Sequence, residues 1–271
     1  MRYSVLMSVY KKDSAEFLRD SLMSMINQTI RPTDIVVVKA GPITDNLQKV
    51  IDDLNDIYKS IITEVAIESN VGLGMALNAG IPFCKEAIIA RMDSDDISEP
   101  SRCEKQLLEF EKNPKLDIIG TCVKEFQEST SNVISIRRVP TTNEGIYEFA
   151  RIRDPFNHPT VMYKKSILEE VGGYSDLRKN QDSDLWVKLL LKGCICQNLS
   201  EPLLFFRFDE GTYRKRKSWE NTKLLIKVRY KAFSSGLSSM SDFSKVVLAQ
   251  LLVFLSPIAL QRLIYKRILR K

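Results

Sequence analysis

Short apolar runs rich in β-branched residues alternate with helical patterns over the first 123 residues of this 271-residue chain. The predicted strands are residues 3–9, 34–38, 63–67, 87–90 and 117–123, and the predicted helices are 16–27, 46–58, 74–79 and 102–111. Strands and helices in alternation build a mostly parallel sheet with helices on both faces. The sequence therefore predicts an α/β fold, in which ligands bind beyond the carboxyl ends of the strands.

Three carboxylates follow the fourth predicted strand directly, at Asp93, Asp95 and Asp96. Asp93 and Asp95 are one residue apart, so they can point the same way at a strand end and share Mg²⁺ or Mn²⁺. Such an ion clamps a diphosphate and neutralises the charge that grows on it as a leaving group. A solvated acidic loop that caps the next helix is the alternative, and the carboxylates alone do not separate the two.

A second acidic segment, residues 180–186, opens a predicted helix and contains Asp182 and Asp184. An Asp in the first turn lies near the positive end of the helix dipole, which keeps it ionised. It can then accept a proton from a hydroxyl group. Simple capping of the helix by either Asp is the alternative.

Together these segments resemble the nucleotide-sugar glycosyltransferases of family 2, which have the GT-A fold. The resemblance covers about residues 3–208 and rests on five segments in the expected order, which are SVLMSVY at 4–10, NVGLGMALNAG at 70–80, DSDD at 93–96, GGY at 172–174 and QDSDLW at 181–186. The chain is similar to members that build bacterial O-antigen, capsule and amylovoran-type exopolysaccharide.

The resemblance implies an inverting, Mn²⁺- or Mg²⁺-dependent transfer of a hexose from a UDP-sugar, with galactose or glucose favoured. The implied acceptor is a sugar on polyprenyl diphosphate, and the implied linkage is β. Asp182 matches the catalytic base, Asp95 the principal metal ligand, and Asp93 a contact to ribose and metal. The other implied nucleotide-sugar-binding residues are Val9 and Tyr10, which face the uracil, together with Lys39, Gly72, Asn78, Arg91 and Ser94.

Some positions depart from the family pattern or are weaker candidates. Ala40 lies where many relatives carry an Asp after the second strand, so recognition of the base shifts to backbone groups or Lys39. Gln181 replaces the usual Glu before the catalytic Asp, which alters the local charge and keeps the proton acceptor. His158, the single histidine, and Trp186 are weaker candidates for acceptor contact; for His158 a turn residue without a chemical role is the alternative.

The C-terminal part of the chain is strongly basic. Residues 211–271 contain 14 Lys or Arg and two Asp or Glu, whereas the rest of the chain carries a net negative charge. Residues 246–261 lack charge, but this run is shorter than the ~20 residues that span a bilayer. We predict a GT-A domain over 1–211 and a basic amphipathic helical region over 212–271 that lies on anionic inner-membrane lipid. A helix packed on the body with a solvated basic edge is the alternative, and nucleic acid is disfavoured as a partner.

The predicted location is the cytoplasm, peripheral on the inner face of a bacterial plasma membrane. The N-terminus shows no signal-peptide pattern. The five cysteines are odd in number and scattered, which indicates free thiols, although Cys194 and Cys196 leave open a soft-metal site.

Two alternative functions are a nucleotide-binding dehydrogenase and a membrane-associated, inactive scaffold. A dehydrogenase is excluded because Leu77 lies where the third glycine of its fingerprint is needed. A membrane-associated, inactive scaffold is favoured by Ala40 and Gln181, while retention of the clustered carboxylates opposes it.

Overall fold

In a computed structural model of the chain, the structure describes residues 1–59, 61–208 and 218–256. The first half alternates strands and helices in the order β1 (Ser4–Val9), α1 (Ala15–Ile26), β2 (Asp34–Ala40), α2 (Asp45–Ile57), β3 (Ile62–Ile67), α3 (Leu73–Gly80), β4 (Ile88–Arg91), β5 (Ile97–Ser98) and α4 (Arg102–Lys112). The second half contains β6 (Ile118–Gln127), β7 (Ser129–Arg137), α5 (Asn143–Ala150), β8 (Met162–Lys164), α6 (Lys165–Glu170), α7 (Gln181–Leu191), β9 (Cys196–Arg207), α8 (Trp219–Ser234) and α9 (Met240–Leu255).

One sheet holds the strands of the described residues in the order β3-β2-β1-β4-β8-β6-β9-β5, with β7 paired to β6. The first four strands are parallel. The antiparallel strand β8 joins them to β6, which is parallel to β9. The predicted α/β class is confirmed, and the predicted strands and helices of the first half lie within a few residues of the observed ones.

Strands β5, β7, β8 and β9 were not predicted. β5 has only two residues, and each of the others also has a reason. β7 is an exposed edge strand with a largely polar sequence, and β8 has only three residues. β9 contains Pro202 and pairs with β6 through register shifts, so its alternation of polar and apolar residues is broken.

The core lies on both faces of the parallel strands. β1 and β2 are buried along nearly their whole length, as expected for strands covered on two sides. Gly80 allows α3 to pack closely here, because a Cβ at this position would lie 2.5 Å from Val38 Cγ2 and 2.6 Å from Leu6 Cδ1. Side-chain hydroxyls of Ser14 and Thr44 cap α1 and α2 and fix where these helices begin. All five cysteines are buried and free of disulfides.

The C-terminal helices form a hairpin on the body. α8 packs against α7 through Val228 and Ala232, which contact Val187. The Trp219 and Phe254 rings, with centroids 5.2 Å apart, bring the start of α8 to the end of α9. No helix among the described residues is long and apolar enough to cross a membrane. The basic run 214–217 and the basic residues from Arg262 onward lie outside the described residues.

Candidate active site

The acidic cluster lies at the carboxyl edge of the sheet. The parallel register pairs Leu6 of β1 with Arg91 of β4 and Val9 of β1 with Lys39 of β2, so the carboxyl ends of β1, β2 and β4 meet at one edge. Ligand oxygens of Asp93, Asp95 and Asp96 lie within 4.8 Å of one another. The tertiary structure therefore brings together the carboxylates that the sequence singled out.

The three carboxylates have different surroundings. Asp93 forms an ion pair with Arg91, whose side chain is only 1% exposed. Asp96 is buried, and its Oδ1 accepts a hydrogen bond of 2.8 Å from the backbone N–H of Arg207. Asp95 is exposed to solvent. Asp95 is therefore the carboxylate best placed to meet a ligand.

Burial, together with the crowding of like charges, raises the pKa values of Asp95 and Asp96. Loss of solvation, followed by repulsion from Asp93 and Asp13, raises the pKa of Asp95 to about 6, although the side chain keeps contact with solvent. Burial and the neighbouring Asp95 and Asp93 raise the pKa of Asp96 well above its usual range. Oδ2 of Asp96 has no hydrogen-bond partner within the described part of the chain. An oxygen-rich donor set with excess negative charge fits a hard divalent cation.

Residues distant in sequence hold the acidic segment in place. Arg207, at the end of β9, donates its Nε–H to the carbonyl oxygen of Asp95 at 2.9 Å, and its guanidinium lies 3.7 Å from the ring centroid of Phe17. The Ser94 hydroxyl donates to Asp13 Oδ2 at 2.8 Å. Sequence reasoning missed Asp13 and Arg207, and no local pattern marks either residue.

The predicted uracil contacts lie beside this cluster. Val9 is the buried last residue of β1, and Tyr10 follows it with a half-buried side chain. Burial raises the pKa of Tyr10, with smaller contributions from the charges of Asp13 and Asp95. The phenol therefore lies within electrostatic reach of the predicted metal ligand.

Other predicted donor contacts are already engaged within the protein. Lys39 Nζ lies 2.9 Å from Glu64 Oε2 on β3 and 3.1 Å from Gln48 Oε1, so contact with a nucleotide base requires it to leave both. Both polar atoms of the Asn78 amide bond the backbone of Tyr174, which ties α3 to the loop before α7. Donor contact by Lys39 and Asn78 stays a prediction.

Gly72 lies just before α3 and adopts a φ of +93°, a conformation that side-chain-bearing residues rarely tolerate. Its N–H is bonded to Asn70 Oδ1 at 2.9 Å. This loop faces the segment before α7, because the Arg178 guanidinium donates to the Asn70 carbonyl at 2.9 Å.

Asp182 lies in the first turn of α7, after Asn180 in a left-handed conformation with φ 57°. Loss of solvation and the charge of Asp154 raise the pKa of Asp182 to about 6, while the backbone N–H of Ser183 and the cation of Arg91 oppose the rise. A carboxylate with this pKa is ionised near neutral pH and still able to accept a proton. Since Arg91 also pairs with Asp93, this buried cation lies within electrostatic reach of both acidic sites.

An ion pair from α8 supports the surroundings of Asp182. The buried Arg229 donates to Asp154 Oδ1 at 2.7 Å and to the carbonyl oxygen of Ala150 at 3.0 Å. The Ser183 hydroxyl, next to Asp182 in the chain, donates to Asp154 Oδ2 at 2.8 Å. Sequence reasoning missed Asp154 and Arg229, since they are separated by 75 residues and lie in no recognisable motif.

His158 and Trp186 lie in the core. His158 Nε2 and the Tyr174 hydroxyl are 2.8 Å apart, and the Tyr174 and Tyr163 hydroxyls are 3.3 Å apart. Burial, with a smaller contribution from Arg91, holds the pKa of His158 well below its usual range, so its ring is neutral. The His158 and Trp186 rings meet edge to face at 5.8 Å. Both side chains are buried, so acceptor contact by either stays a prediction.

Comparison with known proteins adds a family and a fold. The family model described as Glycosyl transferase family 2 matches residues 4–172. UDP-Gal:alpha-D-GlcNAc-diphosphoundecaprenol beta-1,3-galactosyltransferase from Escherichia coli is 33% identical over 270 residues, which cover 100% of this chain and 97% of the relative. Amylovoran biosynthesis glycosyltransferase AmsE from Erwinia amylovora is 35% identical over 221 residues, which cover 82% of each chain.

A solved structure gives the same fold. The mannosyltransferase PcManGT from Pyrobaculum calidifontis, in complex with GDP-Man and Mn²⁺, matches with a TM-score of 0.65 at 16% identity, covering 94% of this chain and 70% of that one. This likeness concerns the fold alone, and it confirms the GT-A architecture that the sequence resemblance implied.

Proposed function

This chain belongs to glycosyl transferase family 2, and from that premise we propose that it is an inverting hexosyltransferase of bacterial surface-polysaccharide assembly. Its donor is a UDP-sugar, with galactose or glucose favoured, and its acceptor is a sugar carried on polyprenyl diphosphate. The Escherichia coli relative is named for UDP-Gal and a GlcNAc-diphosphoundecaprenol acceptor. Its name supports a UDP-sugar donor and a lipid-linked acceptor, and it favours galactose over glucose as the transferred sugar.

One observation carries the proposal: ligand oxygens of Asp93, Asp95 and Asp96 lie within 4.8 Å of one another, and the buried Arg91 pairs with Asp93 and also lowers the pKa of the separate carboxyl group of Asp182. Asp95 and Asp93 would hold a divalent ion, which would offset the negative charge of the donor diphosphate. Asp182 takes the proton of the acceptor hydroxyl, whose oxygen then forms the new bond to the anomeric carbon while UDP departs. A single displacement inverts the α-linked sugar of the donor, so the product linkage is β.

Release of UDP tests this proposal directly. A panel of UDP-sugars is incubated with the protein, with and without Mn²⁺ and a synthetic lipid-diphosphate GlcNAc or GalNAc acceptor. We expect one sugar to give release that requires both the metal and the acceptor. The alternative, an inactive scaffold with a GT-A-like fold, predicts no release in any arm.

Helix α9 supports peripheral attachment to a membrane. Leu248, Leu252 and Leu255 recur at helical spacing and are 60%, 57% and 74% exposed, so they form an apolar stripe on the surface. Lys245, on the same helix, is also exposed and suits anionic headgroups. We propose that this stripe rests in the headgroup region of an anionic bilayer.

Replacing the three leucines of this stripe with Ser is expected to reduce partition onto anionic vesicles by at least about tenfold, because apolar area no longer leaves water on binding. Sedimentation with phosphatidylglycerol-containing vesicles measures the partition. Ile57→Ser and Leu108→Ser, which remove exposed apolar side chains from α2 and α4, are the matched controls. Equal partition of the stripe variant and the unmodified protein would contradict a membrane-facing α9.

Replacing Asp154 with Asn is expected to shift the acidic limb of the pH–rate profile to lower pH. The negative charge of Asp154 raises the pKa of Asp182, so its removal lowers that pKa and keeps the base ionised in more acidic solution. Initial rates of UDP release from pH 4.5 to 8 measure the shift, and thermal unfolding of the same sample checks that the variant is folded. An unmoved limb would show that Asp154 does not act on the base.

A further inference from the structure

A cavity of about 390 Å³ opens beside Asp182. Its walls come from the β6–β7 hairpin and the residues after it, the segment after α5, the start of α7, and helices α8 and α9. Among the described residues that line it, Asp93 and Asp95 do not occur. The predicted base therefore lies at the border of a second compartment, distinct from the acidic cluster.

The charged lining of this cavity contains one more arginine than carboxyl groups. Arg137, Arg138, Arg153 and Arg229 line it, together with three carboxyl residues that include Asp182 itself. Arg229 is buried and bonded to Asp154, yet its Nε has no hydrogen-bond partner within residues 1–59, 61–208 and 218–256. Arg138 is exposed, and in the same ranges it has no ion-pair partner. Guanidinium groups suit the paired oxygens of phosphate, so Arg138 is placed to pair with a phosphate group that enters the cavity.

An apolar wall continues from this basic region. Val246, Gln250 and Val253 of α9 line the cavity, and Leu225 of α8 lies among them. A helix turns about 100° per residue, so this face of α9 is opposite the exposed stripe of Leu248, Leu252 and Leu255. One helix thus has the cavity on one side and the proposed membrane-facing surface on the other.

We propose that this cavity is the acceptor subsite and that it binds the diphosphate of a lipid-linked sugar. Arg138 contacts the diphosphate, and the sugar hydroxyl reaches Asp182; Arg137 and Arg153 line the same cavity but already have other partners within the protein. The first units of the lipid chain lie against the α9 wall. The assignment rests on the proposed function, because Asp182 is treated as the base that meets the acceptor.

Direct binding tests the subsite without relying on transfer. The probe is farnesyl diphosphate, titrated by calorimetry into the full chain with saturating UDP and Mn²⁺, so that the donor site is filled. Arg138→Ala is compared with Arg31→Ala, an exposed arginine that precedes β2 and lies at the opposite edge of the sheet. Affinity for UDP is measured on each sample, and thermal unfolding shows that each variant is folded.

We expect Arg138→Ala to weaken binding of farnesyl diphosphate about tenfold to a hundredfold, as loss of a charge-assisted contact does, with UDP affinity unchanged. Arg31→Ala should match the unmodified protein. Three results would overturn the subsite: no binding by the unmodified protein, equal binding by Arg138→Ala, or an equal loss of UDP affinity, which would assign the arginine to the donor. Absence of UDP binding by the unmodified protein rejects the proposed donor chemistry instead, and so the two failures are distinguishable.

Discussion

Replacing Asp182 with Asn is expected to lower the rate of sugar transfer by about 10²- to 10⁴-fold, the range typical for loss of a general base. Asn is close to Asp in shape and keeps the first turn of α7, but it cannot take the proton of the acceptor hydroxyl. Because the acidic cluster is untouched, affinity for UDP in the presence of Mn²⁺ should stay the same. Acceptor-stimulated release of UDP measures the rate, and calorimetry measures the affinity.

The matched control is Asp56→Asn, the same chemical change at an exposed position of α2 far from the sheet edge. It should leave both quantities unchanged. Transfer that survives in Asp182→Asn would place the base at another residue. A pH profile of the unmodified protein adds a second check: the base is active when deprotonated and has a pKa of about 6, so the rate should fall below that pH and level off above it.

Replacing Asp95 with Asn is expected to remove the metal-dependent part of UDP binding. Changing a residue that merely supports a metal ligand costs about 10- to 100-fold in affinity or activity, so the loss of a ligand itself should cost at least that much. UDP affinity measured with and without Mn²⁺ separates the metal-dependent part from the rest. Without metal, Asp95→Asn should bind UDP at least as well as the unmodified protein, because the change removes a negative charge that repels the diphosphate of UDP.

Asp56→Asn is again the control for the chemical change. An unchanged gain in UDP affinity on addition of Mn²⁺ would remove Asp95 from the metal site. Asp96→Asn is a less specific test of metal binding, because Asp96 Oδ1 also accepts a hydrogen bond from the backbone N–H of Arg207 and the change is expected to perturb the loop between β4 and β5.

Arg91 connects the two acidic sites in this proposal. It is fully enclosed, pairs with Asp93 and lowers the pKa of Asp182. Its Nε and Nη1 have no hydrogen-bond partner among the described residues. A buried cation in this position offsets part of the negative charge of both Asp93 and Asp182 before a donor binds. The sequence resemblance places Arg91 among the donor contacts, and the structure adds a link to the predicted base.

The C-terminal helices are closely tied to the body. Arg229 of α8 pairs with Asp154, and Lys231 of α8 donates to Asp184 of α7 at 2.7 Å. The alternative that this region packs on the body is therefore observed for α8, whereas α9 presents an exposed apolar stripe. Packing and membrane contact are thus compatible features of one hairpin. That residues 212–271 form a region separate from the GT-A domain stays a prediction.

Much of the first half of the fold could be predicted from local pattern alone. The runs in β1 and β2 are continuous and β-branched because both faces of these strands are buried, and α1 and α2 carry their own capping residues. Asp95 and Asp182 could be singled out because each lies in a short acidic segment next to a strand or helix end. Period, capping and local charge are properties that a sequence displays directly.

The residues that these side chains contact could not be predicted from local pattern. Lys39 is held by Glu64, Asn78 by the backbone of Tyr174, and Asp154 by Arg229, so two predicted contacts and one missed residue depend on pairing across the fold. The cavity beside Asp182 likewise needs β7, α5, α7, α8 and α9 in one place. The sequence by itself determined the α/β class and the two acidic segments, because these follow from neighbours in the chain. Only the tertiary structure decided which of these side chains meet, since the partners lie 25 to 96 positions apart in the chain and share no local pattern that predicts their contact.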